Sequence, residues 1–316
     1  MPQPTQNAVH VDAILTNISV AYMQKQENFI ASRVFPIVPV SKQSDKFFTY
    51  TKNDWFRDEA QRRADATESA GGGYGLSTDT YQADVYAFHK DIGDQTRANA
   101  DAPINVDREA TEFVTSRIAL KMETQFVSSF FGTGVWGTDS TPSNLWSDYT
   151  SSDPLNDVET GKRAILATTG FEPNTLVLGY DVFKSLKNHP DLVDRIKYTS
   201  AQTLTADLMG SLFDIPRVFV AKAVKATNNE GGTAAYDFTH GKNALLCYSA
   251  PSAGLLQPSA GYIMSWTGVS QGLGATIGTS RIRMDQFKAD RVEAEVAFDM
   301  KVIGSDLGYF FSSVVA

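Results

Sequence analysis

Residues 105–132, NVDREATEFVTSRIALKMETQFVSSFFG, decide how the rest of the chain is arranged. Asn105 is a helix N-cap, and Asp107 and Glu109 suit the positive end of a helix dipole. Gly132 stops the helix after Phe131. At about 1.5 Å per residue the span from Val106 to Phe131 measures ~39 Å. Val106, Ala110, Phe113, Leu120 and Val127 form one stripe, and Val114, Ile118, Phe126 and Phe130 widen it. A helix this long and this broadly apolar is a structural backbone that other elements must cover.

Upstream lie two candidate strands. FFTYTK (Phe47 to Lys52) is aromatic and β-branched, and LSTDTYQADVYAFHK (Leu76 to Lys90) alternates, placing Tyr81, Ala83, Val85 and Ala87 on one face. They predict a long hairpin. Between them, NDWFRDEAQRRADATESAGGGYG is polar, charged and ends in the triple glycine Gly71 to Gly73. An insertion of ~25 residues without its own core is unusual inside a compact domain, so it moves freely or docks on a neighbour. Before the hairpin, FIASRVFPIVPVSKQ sets Pro36 and Pro39 among apolar residues, which predicts an extended path that pairs poorly as a central strand. Ile14, Leu15, Ile18 and Tyr22 recur at helical spacing, predicting a short amphipathic helix over 12–24.

Downstream, Asp153 and Pro154 open a second helix that Gly170 ends, with Leu155, Val158, Ile165 and Leu166 on one side. The linker before it reads as a surface loop anchored by Trp136 and Trp146. NTLVLG (Asn174 to Gly179) predicts a buried strand, and Pro190 breaks the helical stretch after it. A helix follows over 203–213, then strands at Arg217 to Ala226 and Lys242 to Ala250. Val292, Ala294, Val296 and Phe298, at spacing two, close the chain with strands. The alternation over residues 171–278 fits an α/β or α+β domain.

Composition narrows the function. Of 316 residues, 42% are hydrophobic and 20% charged, which excludes global disorder. No apolar run approaches the ~20 residues of a membrane span, and the first residues lack the layout of a secretory signal. Twenty-eight basic against 36 acidic residues give a net charge of −8, which argues against a dedicated nucleic-acid condenser and leaves any DNA contact incidental or local. Cys247 has no partner for an intrachain disulfide and sits in the apolar run ALLCY.

Nothing in the motifs calls for catalysis, a metal or a cofactor. The histidines, His10, His89, His189 and His240, are scattered without ligand spacing. Gly272, Gly274 and Gly278 approach a dinucleotide fingerprint, but SRIRMDQF follows and reads as strand, where that motif needs a helix N-terminus. The AGGGYG stretch lacks the lysine and hydroxyl of a phosphate loop. Asp54, Asp58 and Glu59 mix with Arg57, Arg62 and Arg63 in the hairpin, a solvated face or an interface rim and not a fixed acid/base pair.

The order of elements, with the stretches FIASRVFPIVPVSKQSDKFFTY, RDEAQRRADATESAGGGYGLSTDTY, KDIGDQTRANADAPINVDREATEFVTSRIALKMETQF, GFEPNTLVLGYDVFKSLKNHPDLVDRIKY and AYDFTHGKNALLCYSAP, resembles the major capsid proteins of tailed bacteriophages, the HK97-type shell fold. The resemblance implies an α+β fold with an N-terminal arm (1–43), an extended loop (44–91), a peripheral domain (92–170) carrying a spine helix at 106–131, an axial domain (171–278) and return strands of the peripheral domain (279–316). It names no active site.

What it implies for function is enclosure: a subunit that assembles with itself into hexamers and pentamers, forming a virion head around packaged dsDNA in the host bacterial cytoplasm. Portal, scaffolding and decoration proteins are the further partners, with no membrane and no cofactor. The expected intersubunit residues are Phe35, Phe47, Tyr50, Trp55, Phe56, Arg57, Arg62, Arg63 and Tyr81. The alternatives are an encapsulin-like nanocompartment shell, or an unrecognised enzyme using the central domain with the hairpin as a lid.

Overall fold

The computed structural model describes residues 24–50, 52–100, 104–196, 204–254, 257–268 and 277–316. The helix expected over 12–24, and Gly272 and Gly274, lie outside them, apart from Gln24.

The long helix runs from Val106 to Phe130, capped by Asn105, whose side-chain oxygen accepts the Arg108 N–H at 3.0 Å. Its buried row is Ala110, Val114, Ile118, Met122, Phe126 and Phe130, at spacing four, while Val106, Phe113 and Val127 of the expected stripe are only partly buried. Both rows are apolar, and nothing local distinguishes the one that is fully buried.

That sheet is organised by one strand of 14 residues, Ala289–Val302, antiparallel to Asp84–Gly93, Gly278–Met284 and Gly261–Trp266. Val292, Ala294, Val296 and Phe298 turn inward as their spacing requires. Ile37–Val40 adds as a parallel strand on the outer side of Gly261–Trp266, an edge position that tolerates Pro39. The long helix packs on this sheet, with Phe113 against Phe88, while Tyr86 packs on Phe298 within the sheet.

A second mixed sheet runs in the order Thr138–Ser140, Gly308–Phe311, Ala244–Cys247, Thr175–Gly179, Arg217–Ala221. Pro154–Thr169, Tyr180–Lys187, Pro190–Ile196 and Ala206–Phe213 surround it. Asp153 caps the first of these by accepting the Asn156 N–H, and Gly170 ends it in the left-handed region at φ +73°. Trp136 and Trp146 are buried anchors, their indole N–H groups donating to the Phe130 carbonyl and the Asp157 carboxylate.

Three expectations change. Leu76 to Lys90 is two strands: Leu76–Gln82 pairs with Ser44–Tyr50, while Asp84–Gly93 joins the first sheet. The break at Ala83, whose N–H bonds the Gln43 carbonyl, shifts the alternation by one residue, so Tyr86 and Phe88 face inward where Val85 and Ala87 were expected. Arg217 to Ala226 is likewise two strands, the second, Val224–Ala226, pairing with Tyr236–Phe238. Finally, boundaries at 170/171 and 278/279 do not follow the sheets. Pro154–Thr169 and Gly308–Phe311 belong to the second core, and Gly261–Trp266 to the first sheet. Strand spacing says which face is apolar, not which sheet a strand joins.

Around the start of the long helix, Asp290 is buried among three guanidinium groups. Arg97 reaches it at 2.6 Å, Arg283 at 3.3 Å, and Arg281 also pairs with it. The Arg281 contact, followed by those of Arg97 and Arg283, holds the Asp290 carboxyl far below the usual carboxylate range against the opposing effect of desolvation. Arg97 also binds Asp107 at 2.8 Å, so the network ties the helix to the sheet.

Candidate intersubunit surface

The hairpin is rooted in the first sheet. Tyr81 is buried with Tyr262 and Met264, and Phe47 packs half-buried beside them. The Tyr81 hydroxyl donates to the Lys42 carbonyl at 3.2 Å, and Asp299 accepts the Gln82 N–H at 3.0 Å. Lys52 forms an ion pair with Asp306. These contacts hold the root against the body of the subunit.

Beyond the root the chain leaves the body. Residues 55–80 are exposed throughout, starting from a single helical turn at Lys52–Trp55. Tyr50, Trp55 and Tyr74 form a ring trio with centroids 5.4–6.2 Å apart. Trp55 is 54% exposed and Tyr74 63%, so the trio organises the excursion without hiding its apolar surface. Phe48, Phe56 and Leu76 add to that surface. Asp54 accepts the Gly75 N–H at 2.7 Å and closes the neck, while Arg57 pairs loosely with Glu59 at 3.6 Å. Soluble monomers rarely carry an exposed apolar cluster on so extended a segment, and such clusters mark protein contact surfaces.

Of the nine residues expected at an interface, Tyr50, Trp55, Phe56, Arg57, Arg62 and Arg63 stand exposed on this excursion, and Phe47 is half-buried at its root. Two belong elsewhere. Phe35 is 2% exposed and packs on Phe130, 4.7 Å between centroids, because the proline-spaced segment lies on its own subunit's core. Tyr81, at the root of the hairpin, is covered by Tyr262 and Met264 of the same chain. Phe48, Tyr74 and Leu76 are exposed on the same excursion but were not among those nine. For Phe48 and Leu76 the signal was present, since each is an apolar residue in a two-stranded ribbon that has no second layer.

One constellation resembles a nucleophile site. Ser152 Oγ lies 2.9 Å from His189 Nε2, and Asp191 Oδ2 lies 3.7 Å from His189 Nδ1. Its hydrogen-bond direction is wrong for base catalysis. The Asp191 backbone N–H donates to Nδ1, so the ring proton sits on Nε2 and is given to Ser152 Oγ, whose own proton goes to the Asp148 carbonyl at 2.6 Å. The imidazole therefore donates where a general base must accept, and both side chains are buried. Burial also pushes the Cys247 thiol up to about 12, leaving it un-ionised near neutrality. Among the described residues, no group of acidic, histidine and cysteine side chains has the grouping of a metal site.

No protein-family model matches the chain. The major capsid protein of Burkholderia phage BcepMu is 25% identical over 312 residues, covering 96% of this chain and 96% of that protein. The major capsid protein of Pseudomonas phage JBD67 is 24% identical over 231 residues, 67% of this chain and 69% of its own. Among solved structures, a phage-related protein from Bordetella bronchiseptica RB50 matches at TM-score 0.68 and 24% identity, over 92% of this chain and 94% of that one. The capsid structure of Cyanophage P-SCSP1u matches at TM-score 0.61 and 9% identity, over 95% and 92%. The chain has the HK97-type fold and resembles phage major capsid proteins. By the resemblance drawn from the sequence, Val106–Phe130 stands where the spine helix is expected and the exposed excursion where the extended loop is expected. The SrpI encapsulin of Synechococcus elongatus PCC 7942 matches at TM-score 0.60 and 10% identity, over 96% and 95%.

Proposed function

We propose that this chain is the major capsid subunit of a tailed bacteriophage, assembling into hexamers and pentamers that close into the icosahedral head around the dsDNA genome. The observation that carries this reading is the extended loop: residues 55–80 are exposed throughout on a subunit whose spine helix and second sheet already have complete cores. Such a segment gains its stability on another copy. Repetition around closed axes then turns a modest contact into a lasting shell through multivalency. The role is structural, with no catalytic residue, metal or cofactor, and the reversed Ser152–His189 polarity supports that assignment. The subunit works in the virion after assembly in the host bacterial cytoplasm. A portal protein completes the head, and scaffolding and decoration proteins act on the same shell.

The similarity to an encapsulin supports a second reading, a nanocompartment with protein cargo. The sequence favours the phage: 25% identity to a phage capsid protein against 10% to the encapsulin. Electron microscopy of the purified chain tests the proposal, with closed particles of five- and six-fold capsomers expected. A monomer under every salt and scaffold condition would contradict it.

A further inference from the structure

Glu123 and His240 are fully buried, and they meet where three parts of the fold converge. Glu123 projects from the middle of the spine helix, His240 from the turn between Tyr236–Phe238 and Ala244–Cys247, and the arm's short helix Ala31–Val34 lies against them. Glu123 Oε2 accepts the N–H groups of Ile30 and Ala31 at 3.0 and 2.9 Å, fixing the arm to the spine. Its other oxygen, Oε1, lies 3.7 Å from His240 Nε2, and neither atom has a hydrogen-bond partner.

The ring's tautomer follows from its other side. Thr239 Oγ1 sits 3.2 Å from the Ala223 carbonyl, which takes its proton, and 3.0 Å from His240 Nδ1. With that hydroxyl proton committed to the Ala223 carbonyl, Nδ1 donates to Oγ1, which leaves a lone pair on Nε2 facing Glu123 Oε1. Two lone pairs do not attract, and a proton between them supplies the missing bond. Among the described residues no other charged side chain faces the pair: Arg33 stacks over Phe219, Lys121 over Tyr86, and Asp237 and Lys242 are exposed. Phe126 and Phe131 flank the imidazole with centroids 5.9 and 4.7 Å away.

We propose that Glu123 and His240 hold a single proton as a neutral acid–imidazole pair, carried on Glu123 Oε1 and donated to His240 Nε2, and that this pair locks the arm to the spine without making the junction sensitive to mild acid. In water the same two groups at mildly acidic pH hold the proton on the imidazole, as an ion pair. Burial reverses the holder, because two neutral groups avoid the desolvation of two charges. The directions agree: burial raises the Glu123 carboxyl to about 7 against the pull of the two backbone N–H groups, and lowers the His240 imidazole to about 3.

The proton count gives the test. From about pH 4.3 to 6.5, the ordinary Glu and His values, the unfolded chain holds one proton on this pair, and so does the folded chain. The pair therefore adds no slope to stability there. Each single variant removes that cancellation in an opposite direction. In Glu123→Gln the amide still accepts from the arm and donates to Nε2, but His240 now stays neutral in the fold and is protonated in the unfolded chain below about 6.5. Its stability falls with acid, by about tenfold in the unfolding constant per pH unit relative to the parent. In His240→Asn the buried carboxyl keeps its proton in the fold up to its raised value and loses it unfolded above about 4.3. That stability falls as pH rises, again by about tenfold per unit.

The experiment measures unfolding of the unassembled full chain and both variants from pH 4.5 to 6.5, with amide exchange at Ile30 and Ala31 reporting the junction itself. Opposite slopes relative to the parent are expected. Parallel profiles, with each variant offset equally at every pH, would overturn the shared proton. Should a variant not fold, nitrogen NMR of the parent's His240 decides: a neutral Nδ1–H ring throughout this range supports the pair, and a ring that protonates near its ordinary value contradicts it.

Discussion

The rings of Trp55 and Tyr74 lie 5.4 Å apart across the neck of the extended loop, 19 residues distant in sequence and both more than half exposed. Their contact shapes a segment that the subunit core does not need. Replacing both by alanine is expected to leave subunit stability within about 0.5 kcal/mol, the usual range for exposed positions. The same double variant should assemble poorly, since aromatic anchors carry much of an interface's energy. Thermal unfolding and sedimentation of the same sample separate the two effects, and equal losses in both would argue against an interface role.

Phe35 gives the opposite pattern. It is buried against Phe126, Phe130 and Trp136. Phe35→Ala should therefore cost the isolated subunit about 3–5 kcal/mol, as large aromatic truncations in cores do. Denaturant unfolding of unassembled subunits checks this. No loss would return Phe35 to the interface where its sequence context placed it.

These two sites show what the sequence does and does not convey. Local chemistry was legible: Asn105 and Asp153 cap the helices they were expected to cap, and Val292 to Phe298 turn inward at spacing two. Pro39 marked an edge strand. Relations between distant segments were not legible. The break at Ala83 depends on the Gln43 carbonyl, and the burial of Phe35 depends on the spine helix 91 residues later. Glu123 stands three residues before Phe126 and seven before Phe130, on the face that meets the arm, and nothing in its own sequence context marks it as buried. The exposed loop was readable because its lack of periodicity is itself a local property.

The Asp290 network sets an acid limit. Its carboxyl is held below the ordinary value of about 3.9, so the folded chain binds fewer protons than the unfolded one as pH falls through that value. The stabilisation is fully present above about pH 4 and is lost progressively below it. Asp290→Asn should lower the melting temperature at pH 6 and show a shallower decline between pH 5 and 3 than the parent. An identical acid decline would remove Asp290 as its source.

Purified subunits should bind DNA weakly. With a net charge of −8 the chain neutralises few phosphates, so the affinity should vary little with salt. A steep salt dependence, or a sequence preference in a filter-binding or fluorescence assay, would contradict this expectation.

The most direct measurement is deletion of residues 53–75 with the two hairpin strands rejoined, examined by circular dichroism and electron microscopy of one preparation. Phe47, Tyr81 and the spine helix keep their packing in that variant, so a folded, cooperatively melting subunit is expected. Closed particles are expected to disappear, because the removed segment is the surface proposed to be covered by a neighbouring copy. Shells of normal size and stability from the shortened chain would contradict the account, and the extended loop would then not be what joins the subunits.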